Sequence, residues 1–194
     1  MAISKSRRNN LLFLVVIALL LIPQTRQPIQ IFIHKGLALF SPSVINKDKS
    51  KVLTNYNWRL QDVNNKAINL SEFKGQVVFV NLWATWCPPC IAEMPSIQEL
   101  YKDYKNDIVF LMISDENSEV IKRFLEKHDY NFEVQQPLSD SPERLKSKSI
   151  PRTFLIDKGG NIIINKSGAA NWNSNKVRET IDNLLLTNPK VHIQ

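Results

Sequence analysis

An apolar run, Val77-Val78-Phe79-Val80-Asn81-Leu82, leads through Trp83-Ala84-Thr85-Trp86 into Cys87-Pro88-Pro89-Cys90, and Ile91-Ala92-Glu93-Met94-Pro95 follows at once. No other stretch constrains the fold as tightly. The run is short and rich in valine and phenylalanine, which reads as a buried strand. Two prolines immediately after Cys87 suit the first turn of a helix, where a missing N–H costs little and φ is already set. The chain is therefore committed to strand, tight junction and helix, with Cys87 and Cys90 at the junction. These are the only two cysteines among 194 residues, so any intramolecular disulfide joins them.

The spacing has a chemical reading. Backbone N–H groups at a helix start are unpaired, and the helix dipole adds positive potential there. Both favour thiolate over thiol, which makes Cys87 the expected attacking sulfur with a lowered pKa. Cys90, one turn further in and covered by protein, is placed to resolve a mixed disulfide. Pro88 removes one N–H from the vicinity of Cys87, so the Pro88-Pro89 pair is expected to tune the reduction potential. Two plainer readings compete. A structural disulfide usually closes a longer loop, because a short loop removes little unfolded-chain entropy. A zinc site needs two more ligands, and His34, His128 and His192 are scattered through the chain. No metal and no cofactor are expected.

Charge gives a polyanion-binding reading little support. Of 25 basic residues, five (Lys5, Arg7, Arg8, Arg26 and Lys35) lie before residue 47 with no acid among them, leaving 20 basic against all 18 acidic residues from Lys47 onward. The remainder is nearly balanced, so nucleic acid is not an expected partner. The basic excess flanks Leu11-Leu12-Phe13-Leu14-Val15-Val16-Ile17-Ala18-Leu19-Leu20-Leu21-Ile22, which has the n-region and h-region of an export signal. Pro23-Gln24-Thr25-Arg26 offers no small-residue cleavage site. The expectation is a signal anchor over residues 1–26, at the short end of spanning length, with a cleaved signal peptide as the alternative. A juxtamembrane segment and tether over 27–52 would follow, then the folded domain over 53–194. Within the middle segment, Gln27–Pro42 is open between a membrane-surface and a domain-packed placement, and Asn46-Lys47-Asp48-Lys49-Ser50-Lys51 reads as the tether.

Later patterns alternate. Trp58–Asp62 and Ala67–Leu70 read as strands across a polar turn at Asn64-Asn65, and Ser71–Gly75 as a short helical turn. A helix from the cysteines to about Lys105 is expected to kink at Pro95. Ile108–Ile113 is a second buried strand, and Val120, Ile121, Phe124 and Leu125 form the inward stripe of a helix ending near His128. Phe132–Val134 reads as a short strand, Pro142–Lys148 as a short helix, and Phe154–Asn165 as a hairpin turning at Lys158-Gly159-Gly160. Val177, Ile181, Leu184 and Leu185 mark one face of a last helix from Asn173 to Leu186. Strands alternating with helices give an α/β sandwich.

At Trp83–Cys90 the sequence resembles the thioredoxin superfamily. Ile150-Pro151-Arg152-Thr153-Phe154-Leu155-Ile156-Asp157 and Gly159-Gly160-Asn161 are similar to the family's cis-proline strand and following hairpin. Glu93-Met94-Pro95 and an insertion from Asp115 to about Pro137 are similar to its membrane-anchored TlpA/ResA-like branch. The resemblance implies a thioredoxin-like three-layer sandwich with a central mixed sheet, behind an N-terminal membrane anchor. It implies Cys87 as nucleophile, Cys90 as resolving thiol and Pro151 as the cis-proline facing the dithiol. The Ile150 backbone would then be free to pair with an extended partner segment. Glu93 matches an acid that affects cysteine ionisation and relays a proton to Cys90; an exposed surface glutamate is the plainer alternative. Asn81 stands where thioredoxin has a buried acid, which makes Glu93 the better relay. Trp86 is expected as an apolar lip beside the sulfur, with Pro88, Pro89, Ile150 and Arg152 also touching substrate, and Trp83 in the core.

The implied activity is thiol–disulfide exchange, with a disulfide-containing protein as substrate and a membrane thiol-transfer protein as electron donor. The implied place is the bacterial cytoplasmic membrane, with the catalytic domain on its periplasmic, extracytoplasmic side. Reduction is the favoured direction, with apocytochrome c as one candidate client. Arg152 stands where the cytochrome-maturation branch often carries an acid, a departure that argues against fixing that client. A disulfide-donating oxidant and a non-catalytic binding or assembly module are the alternatives. A peroxidase and a copper chaperone of related fold lack their expected cysteine patterns here.

Overall fold

The computed structural model describes residues 5–46, 50–62 and 65–187. Seven strands among them, β1 (Arg59–Asp62), β2 (Ala67–Asn69), β3 (Val78–Leu82), β4 (Val109–Ile113), β5 (Val134–Pro137), β6 (Arg152–Ile156) and β7 (Ile162–Ser167), form one sheet ordered β2-β1-β5-β4-β3-β6-β7. β3 pairs parallel with β4 and antiparallel with β6, and β4 runs parallel to β5. The mixed sheet and thioredoxin-like α/β sandwich are as expected. The helices are α1 (Lys5–Leu21), α2 (Pro23–Leu37), α3 (Pro88–Tyr104), α4 (Ser118–His128) and α5 (Asn175–Leu186).

Strand alternation sorts the core into two layers. Phe79, Met112, Leu155 and Ile164 share one face with Met94 and Ile97 of α3, Ile121 of α4 and Ile181 of α5. Val78, Val80, Leu111 and Phe154 share the other with Leu53, Trp58, Leu70 and Leu145. That second covering layer is made of loops and two 3-10 turns, Leu70–Phe73 and Glu143–Leu145. The expected helix over Pro142–Lys148 is the latter turn. α3 continues through Pro95 to Tyr104. The inward stripe of α4 is rotated from its expected position, since Val120 is exposed while Ile121 and Phe124 are buried. Asn117 begins that helix by accepting the Glu119 N–H at 2.8 Å, and Asp129 ends it in a left-handed conformation. Lys47–Lys49 of the tether, Asn64 of the polar turn and residues 188–194 of the expected domain lie outside the described residues.

The N-terminal segment corrects the expected membrane anchor. Among the described residues, no helix is long and apolar enough to cross a membrane. α1 has 17 residues, and Lys5-Ser6-Arg7-Arg8-Asn9-Asn10 occupies its first turns. Its apolar part, Leu11–Leu21, rises only about 16 Å at helical pitch, roughly half of a bilayer's hydrocarbon core. It stops because Pro23 holds Ile22 in an extended conformation, with φ −79° and ψ 119°. α2 then brings in Arg26, His34 and Lys35. The expected attachment to the cytoplasmic membrane, the periplasmic placement and the membrane-borne electron donor lose their basis with the anchor. The following chain packs on the domain instead. α2 lies against α3. Asn171 N–H donates to Phe40 O at 2.9 Å, Ile45 N–H to Ile163 O at 2.8 Å, and Ile162 N–H to Lys51 O at 2.9 Å.

Candidate active site

β3 delivers the chain to the cysteines at the end of the sheet, and α3 starts on them. Cys87 is the N-cap of α3, with extended φ −91° and ψ 104°, and Pro88 and Pro89 fill the first helical positions. Cys87 and Cys90 form a disulfide with Cα atoms 5.2 Å apart. Cys90 is fully buried and Cys87 is 3 % exposed, so the bond presents only an edge of Cys87 to solvent. The Cys90 N–H donates to Cys87 Sγ at 3.3 Å. Because neither proline has an N–H, this is the one amide of residues 88–90 able to reach that sulfur.

Glu93 follows Cys90 by one helical turn, on the same buried face of α3. It is wholly buried. Asn81 Nδ2 donates to Glu93 Oε1 at 2.8 Å, while Trp172 Nε1 and Ala170 N–H donate to Oε2 at 2.9 and 3.2 Å. Burial pushes the carboxyl up to about 7, against these three hydrogen bonds and the positive charge of Lys166. A carboxylate has roughly four lone-pair sites. Two on Oε2 and one on Oε1 are engaged, so a proton on Glu93 belongs on Oε1. Asn81 also donates to Thr153 Oγ1 at 2.7 Å, which ties the acid to β6. The surface-glutamate alternative is excluded by this burial.

The remaining expected residues surround the dithiol unevenly. The Ile150–Pro151 peptide is cis, and Pro151 O accepts from Gly168 N–H at 3.0 Å. Among the described residues, the Ile150 backbone has no hydrogen-bond partner. Trp86 is 64 % exposed beside the disulfide, and Trp83 is buried, its ring 5.4 Å from that of Phe124. A groove of about 390 Å³ runs from Trp86 past Ile150, with Asp115 and Asp140 on its wall. Arg152 does not join the dithiol. Its guanidinium lies over the Phe154 ring, 5.5 Å from the centroid, on the sheet face opposite Glu93.

Several residues at the site carried no sequence signal. Trp172 and Ala170 donate to Glu93 from the loop after β7, and Lys166 of β7 adds a favourable charge; nothing along the sequence places them there. Glu116 is another: Thr85 N–H and Oγ1 both donate to its carboxylate at 2.6 Å, pinning the loop that carries Trp86 and Cys87.

Similarity to known proteins agrees with this geometry. The family model described as Redoxin matches residues 47–185. The chain is 33 % identical over 163 residues to the thiol-disulfide oxidoreductase ResA of Bacillus thuringiensis subsp. konkukian, covering 81 % of this chain and 87 % of that one. A solved structure from Bacteroides vulgatus, described as a thiol-disulfide oxidoreductase, superposes with a TM-score of 0.53 at 34 % identity, covering 65 % of this chain and 90 % of that chain. A thioredoxin-family thiol:disulfide interchange protein from Chlorobium tepidum gives a TM-score of 0.55 at 22 % identity over 69 % of this chain and 99 % of that chain, a likeness of fold alone. Matches of this extent amount to membership, and the chain belongs to the Redoxin family as a ResA-like thiol-disulfide oxidoreductase of thioredoxin fold.

Proposed function

We propose that this thiol-disulfide oxidoreductase works as a reductant of disulfides in partner proteins, with Cys87 attacking, Cys90 resolving and Glu93 carrying the proton. The observation that carries the reading is the buried Glu93 carboxyl, one turn from Cys90 and titrating at about 7. A strong oxidant is one whose reduced form is stabilised, chiefly through its thiolate. Here the opposite holds. Pro88 and Pro89 withhold two N–H donors from Cys87, and an ionised Glu93 repels a thiolate nearby. Dithiol is thereby disfavoured relative to disulfide, which is the property of an electron donor.

In the proposed cycle the Cys87 thiolate attacks one sulfur of the substrate disulfide, forming a mixed disulfide and releasing one substrate thiolate. Ionised Glu93 takes the Cys90 proton on Oε1. The Cys90 thiolate attacks Cys87 Sγ, closes the Cys87–Cys90 bond and expels the second substrate thiolate. The Glu93 proton leaves to that sulfur or to solvent. Two electrons pass to the substrate, and a dithiol partner restores them. Substrate backbone pairs with Ile150 in an extended conformation beside Pro151, and Trp86, Pro88 and Pro89 supply apolar contact.

Single-turnover reduction of a disulfide-bonded peptide by the reduced protein tests this. Glu93→Gln can keep an oxygen toward the Trp172 and Ala170 donors but loses the base, and is expected to slow resolution of the mixed disulfide by about 10²-fold at pH 7.5, within the range for general bases. Resolution at the wild-type rate in that variant would remove Glu93 from the mechanism.

A further inference from the structure

The groove that starts at Trp86 is apolar along its floor, which includes Trp58, Leu82 and Trp83, and it reaches Ile150 at the cis-proline edge. Two loops bring acids to its wall: Asp115 follows β4, and Asp140 follows β5. Both are exposed, and among the described residues neither has a hydrogen bond or an ion pair. Among the described residues no lysine, arginine or histidine lines the groove. Two cations beyond it are engaged elsewhere. Lys146, which feels the Asp140 charge, is held by Glu143 at 2.9 Å, and Arg152 lies over the Phe154 ring. Glu116, next to Asp115, takes its hydrogen bonds from Thr85 and Ser114, which are neutral, so its charge adds to theirs. Two observations independent of the acids point to a polypeptide occupant. The Ile150 backbone has no partner among the described residues, and an extended chain can bond to such an edge. Trp83 is 2 % exposed, yet its Nε1 has no acceptor among the described residues, a donor left unsatisfied at the groove floor.

We propose that this groove selects extended segments of partner proteins that carry a lysine or arginine close to the disulfide to be reduced. The apolar part of the segment lies on Trp86 and the floor, its backbone pairs at Ile150, and its cation meets Asp115 and Asp140. A lysine or arginine suits such a site, because its methylene stem covers apolar surface while its charge stays in water beside the acids. An acidic segment brings its carboxylate against Asp115, Glu116 and Asp140, and like charges in contact oppose association. The selection is one of binding; only its consequence for reduction rests on the reductase reading above.

The test uses the full chain and capped peptides of one sequence with a central cysteine. Lysine, methionine or glutamate stands two residues away on both sides, at positions that share the cysteine's face in a strand. Versions with serine in place of cysteine are titrated against the oxidised protein and read by Trp86 fluorescence, identified by its loss in Trp86→Phe. Disulfide-linked dimers of the cysteine peptides are then reduced by the dithiol form in single turnovers. At about 20 mM salt the lysine peptide is expected to bind about tenfold more tightly than the glutamate peptide and to be reduced faster by a similar factor, with methionine between them, the scale of two exposed charge pairs. At about 0.5 M salt the preference should shrink to about twofold. The Asp115→Asn, Asp140→Asn double variant should lose most of it at low salt. Equal affinity of the three peptides for the wild type, including no measurable binding of any of them, overturns the proposal. So does tighter binding of the glutamate peptide, or a lysine preference undiminished in the folded double variant. A lysine preference in binding with no reduction of any peptide would sink the reductase reading while supporting the groove's selectivity.

Discussion

At the residue scale, Glu93 couples stability to pH. Its carboxyl titrates at about 7 in the fold against 4.5 for a free glutamate. Between those values the folded chain binds the proton and the unfolded chain does not. This contribution is fully present below about pH 4.5 and is lost as pH rises through 7; it amounts to ~3 kcal/mol as an upper scale. Urea unfolding of the oxidised protein at pH 5 and pH 8 should show wild type losing stability across that interval, and Glu93→Gln losing less. An equal loss in both would contradict the buried carboxyl. The indole of Trp172 acts in the other direction, since its N–H favours the ionised form. Trp172→Phe should raise the Glu93 midpoint, and carbon-detected NMR titration of the side-chain carboxyl would read it.

At the scale of elements, the first turn of α3 sets the redox character. Pro89→Ala restores an amide near Cys87 Sγ. It should lower the Cys87 pKa, seen as thiolate absorbance at lower pH, and raise the reduction potential by ~30 mV, a tenfold change in the equilibrium. The hairpin turn between β6 and β7 makes a second prediction. Gly160 has φ +82°, and a Cβ there would lie 2.5 Å from the Tyr56 hydroxyl and 3.1 Å from Leu53 O. Gly160→Ala should therefore destabilise by about 2 kcal/mol and loosen the segment before β1, measurable by chemical denaturation and by faster amide exchange at Leu53, which bonds Gly160 O.

These elements also mark how far the sequence could be read. β3, the cysteine junction, the β6–β7 hairpin and α5 were legible because each combines periodicity with a local breaker or cap. The burial of Glu93 was legible only through family likeness, since nothing in its neighbours along the chain distinguishes it from a surface helix residue. Trp172 and Lys166 were not legible, because only the folded path of the chain relates them to an acid 79 and 73 residues away. α1 misled for a physical reason: hydrophobicity is summed along the sequence, but Pro23 ends the helix before the apolar length suffices.

At the scale of the molecule, a thioredoxin-like sandwich holds one bonded cysteine pair at the end of β3, with a buried acid beneath and an apolar, aromatic lip above. The account's central claim is that this arrangement makes the pair an electron donor. The measurement that tests it most directly is the reduction potential of Cys87–Cys90 in the full chain, by thiol trapping across dithiothreitol and glutathione buffers. A value well below about −200 mV is predicted, and one near −120 mV, the range of strong disulfide donors, would contradict it.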